Sequence, residues 1–263
     1  MAAEPALTLD GVTKRFGGLA VTQDIRFAVP IGTRTALIGP NGAGKTTLFN
    51  LISGVYKIDA GRILLDGRPI QDLPPRKRVQ AGLSRSFQNI RLMPHLSVIE
   101  NIMLGQHTQA SDVRSLLSPL AWQRKSRWRA EAVDSMRRAG IDVDPDAPVS
   151  GLPYGLRKKI EVVRALMSRP RLLMLDEPSA GLNPRETVEL SAFLKSVAWD
   201  GLTLLVVEHD MSFVHDLCDR TVVLNFGRMI YDGPTQGVQD DPQVREAYLG
   251  SRRVAAKGAG RVA

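Results

Sequence analysis

The chain has 263 residues, a formal net charge of +8 and 43% hydrophobic residues, the balance of a soluble globular protein of one or two domains. No apolar run approaches the ~18–20 residues that cross a bilayer, and Met1-Ala2-Ala3-Glu4-Pro5 has neither the basic nor the apolar part of a secretory signal, so none is expected. Cys218 is the single cysteine, which excludes an intrachain disulfide, fits a reducing compartment and argues against a structural zinc site.

In chain order, residues 6–9 and 25–29 alternate like strands, with Gly17-Gly18 as a turn. The run Thr35-Ala36-Leu37-Ile38 then leads into Gly39-Pro40-Asn41-Gly42-Ala43-Gly44-Lys45-Thr46, and a helix is predicted over 45–53. A strand, a glycine-rich loop and a closing Lys-Thr form the pattern of a phosphate-binding loop. Gly39, Gly42 and Gly44 let the backbone curl so that N–H groups point inward at phosphate oxygens. The helix start adds its positive dipole end. Lys45 can reach the β- and γ-phosphates, and the Thr46 hydroxyl can ligate Mg²⁺. A glycine-rich turn without a ligand is the bland alternative, and the match at all eight positions weighs against it.

Residues 61–67 read as a short strand bounded by glycines. A helical pattern begins over 97–103 and resumes over 116–139, where Trp122, Trp128 and Met136 are available for an apolar face, until the Asp- and Pro-rich stretch 142–148 ends it. We read this as a helical subdomain inserted into an α/β core. A helix over 154–168 follows, then apolar strands at 172–175 and 204–207 flanking a helix over 185–198. Strand-helix-strand at this spacing implies a parallel sheet with right-handed crossovers. Late strands are predicted at 221–224 and 228–231, and the small, basic tail from 251 is expected to be disordered. Basic clusters at 76–78, 124–129 and 157–159 read first as a solvated face and second as a surface near anionic lipid. No aromatic platform or nucleic-acid motif accompanies them, so no nucleic-acid partner is expected.

The strand at 172–175 ends in Asp176-Glu177. A buried strand puts Asp176 at its carboxyl end beside the phosphate loop, where it can hold Mg²⁺ through water. Glu177 can accept a proton from an attacking water. Acids opening a helix are the ordinary alternative for this pair.

This order of motifs resembles the ATP-binding-cassette (ABC) family of transport ATPases over nearly the whole chain. The resemblance implies an α/β P-loop NTPase (RecA-like) core with an N-terminal antiparallel β subdomain and an inserted α-helical subdomain at about 97–165. It assigns 1–250 to one ATP-binding domain and leaves 251–263 as the tail. ATP and Mg²⁺ are the implied cofactors, held by residues 39–47 (Gly39, Pro40, Asn41, Gly42, Ala43, Gly44, Lys45, Thr46 and Thr47) and by Asp176. Phe16 matches the aromatic that stacks on adenine, with an ordinary core aromatic as an equal alternative. Gln88, in Ser86-Phe87-Gln88-Asn89, matches the glutamine that touches Mg²⁺ and senses the membrane partner. His209, in Val207-Glu208-His209-Asp210, matches the switch histidine that contacts the γ-phosphate, so Glu177, His209 and Lys45 are the implied catalytic set.

The family signature Leu-Ser-Gly-Gly-Gln falls on Leu152-Pro153-Tyr154-Gly155-Leu156, a departure, since Pro153 brings neither a hydroxyl nor an N–H. Tyr154 and Gly155 remain to meet the ATP of a second subunit in trans. Asn183 does likewise from Ser179-Ala180-Gly181-Leu182-Asn183-Pro184, where the family more often has aspartate. These departures resemble the ATPases of branched-chain amino-acid (Liv-type, hydrophobic amino acid) importers, as do Lys14-Arg15-Phe16-Gly17-Gly18 and Arg245-Glu246-Ala247-Tyr248-Leu249-Gly250. The insert length is closer to the larger of the two ATPase subunits such importers carry. The implied partners are a second ABC ATPase subunit in a hetero- or homodimer, two integral-membrane permease subunits and, indirectly, a periplasmic or extracellular solute-binding protein. The implied location is the cytoplasmic face of the cell membrane. An ABC ATPase for urea, amides or aromatic acids, a lipopolysaccharide exporter, and a non-membrane cassette ATPase are the alternatives.

Overall fold

A computed structural model of the chain describes residues 4–86, 90–109, 119–199 and 201–248. The chain opens on a long hairpin of β1 (Leu7–Phe16) and β2 (Leu19–Val29), turning at Gly17-Gly18. β3 (Arg34–Ile38) runs into the glycine loop, and α1 (Lys45–Ser53) spans the predicted residues. β4 (Ala60–Leu65) and β5 (Arg68–Pro69) complete an antiparallel sheet of order β2-β1-β4-β5. Next come α2 (Pro75–Gln80), β6 (Leu83–Arg85), α3 (Val98–Met103), α4 (Pro119–Arg138) and α5 (Tyr154–Leu166). They are followed by β7 (Leu172–Asp176), α6 (Pro184–Trp199), β8 (Thr203–Val207), α7 (Met211–Leu217), β9 (Arg220–Asn225), β10 (Arg228–Pro234) and a helix, α8, over 242–248.

The second sheet has the order β10-β9-β3-β8-β7-β6, with β9, β3, β8, β7 and β6 parallel and β10 antiparallel at one edge. Its side chains alternate between two cores. Ala36, Ile38, Leu173, Leu175, Leu204 and Val206 pack with residues of α3 to α7, among them Ile102, Ile160, Leu194 and Phe213. Leu37, Leu172, Met174, Leu205 and Val207 face the other way, onto Leu48 and Ile52 of α1 and the apolar side of the antiparallel sheet. Burial on both faces is why these strands read as continuous apolar runs. Leu37 lies opposite Val207, and Val207 opposite Asp176, so the carboxyl ends of β3, β8 and β7 come out level on one edge.

In the helical region, Ser97 and Glu100 form a reciprocal cap at the start of α3: Ser97 Oγ accepts the Glu100 N–H and Glu100 Oε2 accepts the Ser97 N–H. α3 packs on α4 and α5. Met136 is buried and Trp128 half-buried, while the Trp122 side chain and the tail from 251 lie outside the described residues. Among the described residues no helix is long and apolar enough to cross a membrane.

Two of the basic runs are not wholly solvated. Lys158 is buried, and so is Arg78, whereas Arg76 and Lys77 are exposed. Arg78 acts as a plug at the carboxyl end of α1. Its Nη1 donates to the carbonyls of Leu51 (2.6 Å) and Ile52 (2.8 Å), Nη2 to Gln71 (2.7 Å) and Nε to Leu73 (2.9 Å). Gly54, at φ +82°, leaves the room: a Cβ there would lie 2.7 Å from Arg78 Nε. A helix end leaves carbonyls without intrahelical donors, and one planar guanidinium meets several at once. Arg78→Ala is expected to destabilise the fold by roughly 2–4 kcal/mol, read as a lower urea midpoint. Arg78→Lys recovers only part of this, because an ammonium cannot reproduce the fork.

Candidate functional site

The glycine loop is shaped by close approach as well as by turns. Gly39 has φ +151°, and a Cβ on it would sit 2.2 Å from the Leu224 carbonyl of β9. A Cβ on Gly44 would sit 2.7 Å from the Val21 carbonyl of β2. A Cβ on Gly42, by contrast, would meet nothing within 4 Å, so the loop is open at that point. Gly44 is the N-cap of α1 and supplies no side-chain cap, and no acid stands in the first turn of α1. The amides there face no carboxylate of their own helix, which fits a phosphate group. Pro40 is half-buried, Asn41 exposed and Ala43 buried, with the Ala43 N–H donating to the Pro40 carbonyl at 3.1 Å. Lys45 and Thr47 are half-buried at the start of α1, with Thr46 exposed between them.

Lys45 folds back over the loop, its Nζ donating to the carbonyls of Gly39 (2.7 Å) and Pro40 (3.1 Å). Burial pushes its pKa down, while the charges of Glu177 and Asp176 pull it back up. Tyr248 of α8 reaches the same loop: its hydroxyl bonds to the backbone N–H of Gly39, and burial pushes its pKa up to about 12.

Asp176 ends β7, almost buried. Arg85 at the end of β6 donates through Nη2 to Asp176 Oδ2 (2.7 Å) and through Nη1 to Asn50 Oδ1 (2.7 Å) and Ser53 Oγ (3.0 Å) of α1. One guanidinium thus ties α1, β6 and β7 together under the phosphate loop. Glu177 is half-buried in a left-handed conformation, φ +46°, which is rare for a residue with a Cβ. Its N–H donates to the Val207 carbonyl of β8 at 2.9 Å. Beyond β8, Glu208 is fully buried and His209 is exposed, and Asp210 caps α7 by accepting the N–H groups of Ser212 and Phe213. Phe16 closes β1 and is 43% exposed, which removes the core-aromatic alternative. Its ring meets Tyr56 edge-on at 5.3 Å, and Lys14 Nζ lies 5.4 Å from its centroid. Gln88 lies outside the described residues.

A family model described as ABC transporter matches residues 22–180. Over 252 residues the chain is 38% identical to the high-affinity branched-chain amino acid transport ATP-binding protein BraF of Pseudomonas aeruginosa, spanning 94% of this chain and 99% of that one. The chain belongs to the ABC transporter family. It is also 36% identical over 255 residues to LivG of Escherichia coli, which carries the same description, again over 94% of this chain and 99% of that one. A nucleotide-free ATP-binding cassette from an ABC transporter superposes with a TM-score of 0.80 at 28% identity, covering 92% of this chain and 98% of that one. A second cassette, solved in its ADP conformation, gives 0.81 at 28% identity over 93% and 98%. The protein is therefore an ATP-binding cassette ATPase with the fold its motifs implied.

In this ABC ATPase the signature segment opens α5. Pro153 is the N-cap and gives no side-chain cap, while its carbonyl accepts the Arg157 N–H at 3.1 Å. Tyr154 is half-buried and Gly155 buried; Asn183 lies at the start of α6, its N–H and side chain both bonded to Glu186. The structure brings Lys45, Thr46, Asp176, Glu177 and His209 to one edge of the parallel sheet. Phe16 lies at the end of the antiparallel hairpin, Tyr154 and Gly155 open α5, and Asn183 lies between Glu177 and α6.

Sequence reasoning missed Arg85, Glu208 and Tyr248. The signal for Arg85 was present: a charged residue three positions before Gln88 in a stretch the sheet must bury. The Arg85–Asp176 pair generates a double-mutant test. Removing one partner of a buried pair strands the other charge, so Arg85→Ala is expected to cost about 3–5 kcal/mol of stability. Arg85→Ala with Asp176→Asn should cost clearly less than the two single losses summed, measured by denaturant unfolding.

Proposed function

We propose that this ABC ATPase hydrolyses ATP to drive an importer of branched-chain or other hydrophobic amino acids. The observation that carries the reading is near end-to-end similarity to BraF, an ATP-binding protein of branched-chain amino acid transport, together with retention of Lys45, Asp176, Glu177 and His209 at one sheet edge.

In this reading, residues 39–47 hold the phosphates through backbone N–H groups and Lys45, and Phe16 stacks on adenine. Lys45 exchanges the carbonyls of Gly39 and Pro40 for phosphate oxygens, trading neutral acceptors for charged ones, which bind about twice as strongly. Glu177 orients and deprotonates the attacking water. His209 donates to the γ-phosphate as charge develops. Thr46, Asp176 and Gln88 hold Mg²⁺, Asp176 through water; the ion, when bound, neutralises charge between the phosphates. The donor set fits a hard cation: a hydroxyl, and a carboxylate whose Oδ2 is engaged by Arg85 while Oδ1 remains as a further acceptor.

The active form pairs this chain with a second ATPase subunit, so that Tyr154, Gly155 and Asn183 meet ATP held by the partner. The two ATPases sit beneath two membrane-embedded permease subunits at the cytoplasmic face, fed from outside by a solute-binding protein. Residues 97–165 act as the helical subdomain that moves against the core, and Gln88 relays that motion to the permease. Because Pro153 weakens the signature this chain offers its partner, ATP on this chain's own Lys45 turns over faster than ATP on the partner in a heterodimer.

Uptake of labelled leucine by native cells tests the reading. Glu177→Gln at equal expression should abolish leucine uptake, spare an unrelated solute and lower ATP turnover by about a hundredfold or more with nucleotide binding retained. Unchanged leucine uptake in a strain without a redundant importer would discard the solute assignment, and unchanged ATP turnover would discard the role of Glu177.

A further inference from the structure

Glu208 sits one residue before His209 with no exposed surface, and the proposed reaction does not use it. Its two carboxylate oxygens are divided between two loops. Oε1 accepts the N–H of Ser179, two residues beyond Glu177, at 2.8 Å. Oε2 accepts the N–H of His209 at 3.1 Å, with the Asp210 N–H a longer contact at 3.5 Å. A second tie runs alongside, from the Glu177 N–H to the Val207 carbonyl at 2.9 Å. The loop that follows β7 and the loop that follows β8 are therefore joined at two successive levels, first by backbone and then by one buried carboxylate.

We propose that Glu208 is a positioning residue, whose carboxylate holds the backbone of His209 and the loop after Glu177 at a fixed separation for hydrolysis. The role needs an acceptor at both ends. The groups that bond its two oxygens in both loops are backbone N–H donors, so a carboxylate satisfies them all, whereas the isosteric amide of glutamine would turn its NH₂ toward another donor. A buried carboxylate without such donors would be costly, and charge-assisted bonds from N–H groups are what make it tenable. Lys158 on α5, the helix opened by the signature segment, is buried, which pushes its pKa down, while the charges of Glu161, Glu208, Asp176 and Glu177 pull it back up. The arrangement lets the position of His209 depend on the loop that carries Ser179 to Asn183, so a shift in one is felt in the other without any side chain of the reacting set moving first.

The inference rests on the roles proposed for Glu177 and His209, and the test separates the two. Glu208→Gln in the full chain is examined by amide hydrogen exchange without nucleotide, by binding of a fluorescent ATP analogue, and by steady-state ATP turnover, with Glu177→Gln as a parallel control. The expected result is faster exchange in both segments, 178–183 and 208–212, analogue affinity within about twofold of the parent, and a kcat lowered about tenfold or more with little change in KM. Glu208→Asp, which keeps the charge but shortens the reach, should recover part of the turnover and protect one segment only. Unchanged exchange in both segments overturns the proposal, as does faster exchange with unchanged kcat. A loss of kcat matched by an equal loss of analogue binding also overturns it, because that marks general damage to the fold. If the Glu177→Gln control keeps its turnover, the proposed reaction role fails on its own account, and the exchange measurement still decides whether Glu208 joins the two loops.

Discussion

The parallel pairing of β3, β8 and β7 is the constraint on which the site depends. Leu37, Val207 and Asp176 stand in one row across the three strands, so the glycine loop, the Asp176-Glu177 pair and the Glu208-His209 pair leave the sheet at the same level. Side chains alternate along a strand, so a slip of one residue in β7 would move Asp176 from the side it shares with Leu172 and Met174 to the side of Leu173 and Leu175. Both faces are buried, so both would object: α1 and the antiparallel sheet on one side, the helices α3 to α7 on the other. The register is thus fixed by ordinary hydrophobic packing, and the candidate residues are placed by that register.

The same edge concentrates charge in a buried place, and each acid is met in a different way. Asp176 is met by the Arg85 guanidinium, Glu208 by backbone N–H groups, and Glu161 by the Arg91 N–H at 3.2 Å together with Arg164 Nη2 at 3.6 Å. Burial still pushes the pKa of Glu161 up and those of Lys45, Lys158 and Arg164 down. Lys45 is therefore held under a desolvation penalty that a phosphate would relieve. Two carbonyls of its own loop, those of Gly39 and Pro40, accept from it and offset part of that penalty. Within the glycine loop those carbonyls hold the ammonium, while the Ala43 N–H is turned inward onto the Pro40 carbonyl.

Much of this was legible in the sequence because it rests on local rules. The glycine loop, the apolar strands and the acids at the end of β7 follow from spacing, backbone freedom and burial on both faces, and α1 spans the predicted residues. The elements that escaped were short. α2, β6 and α7 have six, three and seven residues, too few for a helical or strand period to show. The residues that escaped act at long range. Arg85 reaches Asp176 across 91 positions and Glu208 reaches Ser179 across 29, distances over which a sequence pattern carries no geometry. Arg78 and Lys158 sit inside basic runs that read as solvated, and only the tertiary fold shows that a helix end needs the first and an acid cluster faces the second.

The departures in the signature segment and in the loop after Glu177 make sense as one packed unit. A Cβ on Gly181 would lie 3.1 Å from the Tyr154 ring, and a Cβ on Gly155 would lie 2.7 Å from Glu186 Oε1. Glu186 in turn forms a reciprocal cap with Asn183: Asn183 Oδ1 accepts the Glu186 N–H at 3.0 Å, and Glu186 Oε2 accepts the Asn183 N–H at 3.0 Å. Tyrosine in place of a small residue at 154 therefore covers the glycine at 181, and asparagine at 183 is bound to its own helix by the acid that also walls in Gly155. The two departures lie side by side: Tyr154 packs on Gly181 of the loop that also carries Asn183, and Glu186, the partner of Asn183, packs on Gly155 beside Tyr154. Pro153 fits the same logic: it sets the extended entry into α5, φ −52° and ψ 148°, and as an N-cap without a side-chain acceptor it leaves the first amides of that helix uncommitted. What the segment loses in hydroxyl chemistry it retains as a helix start whose direction is fixed by its own neighbouring loop.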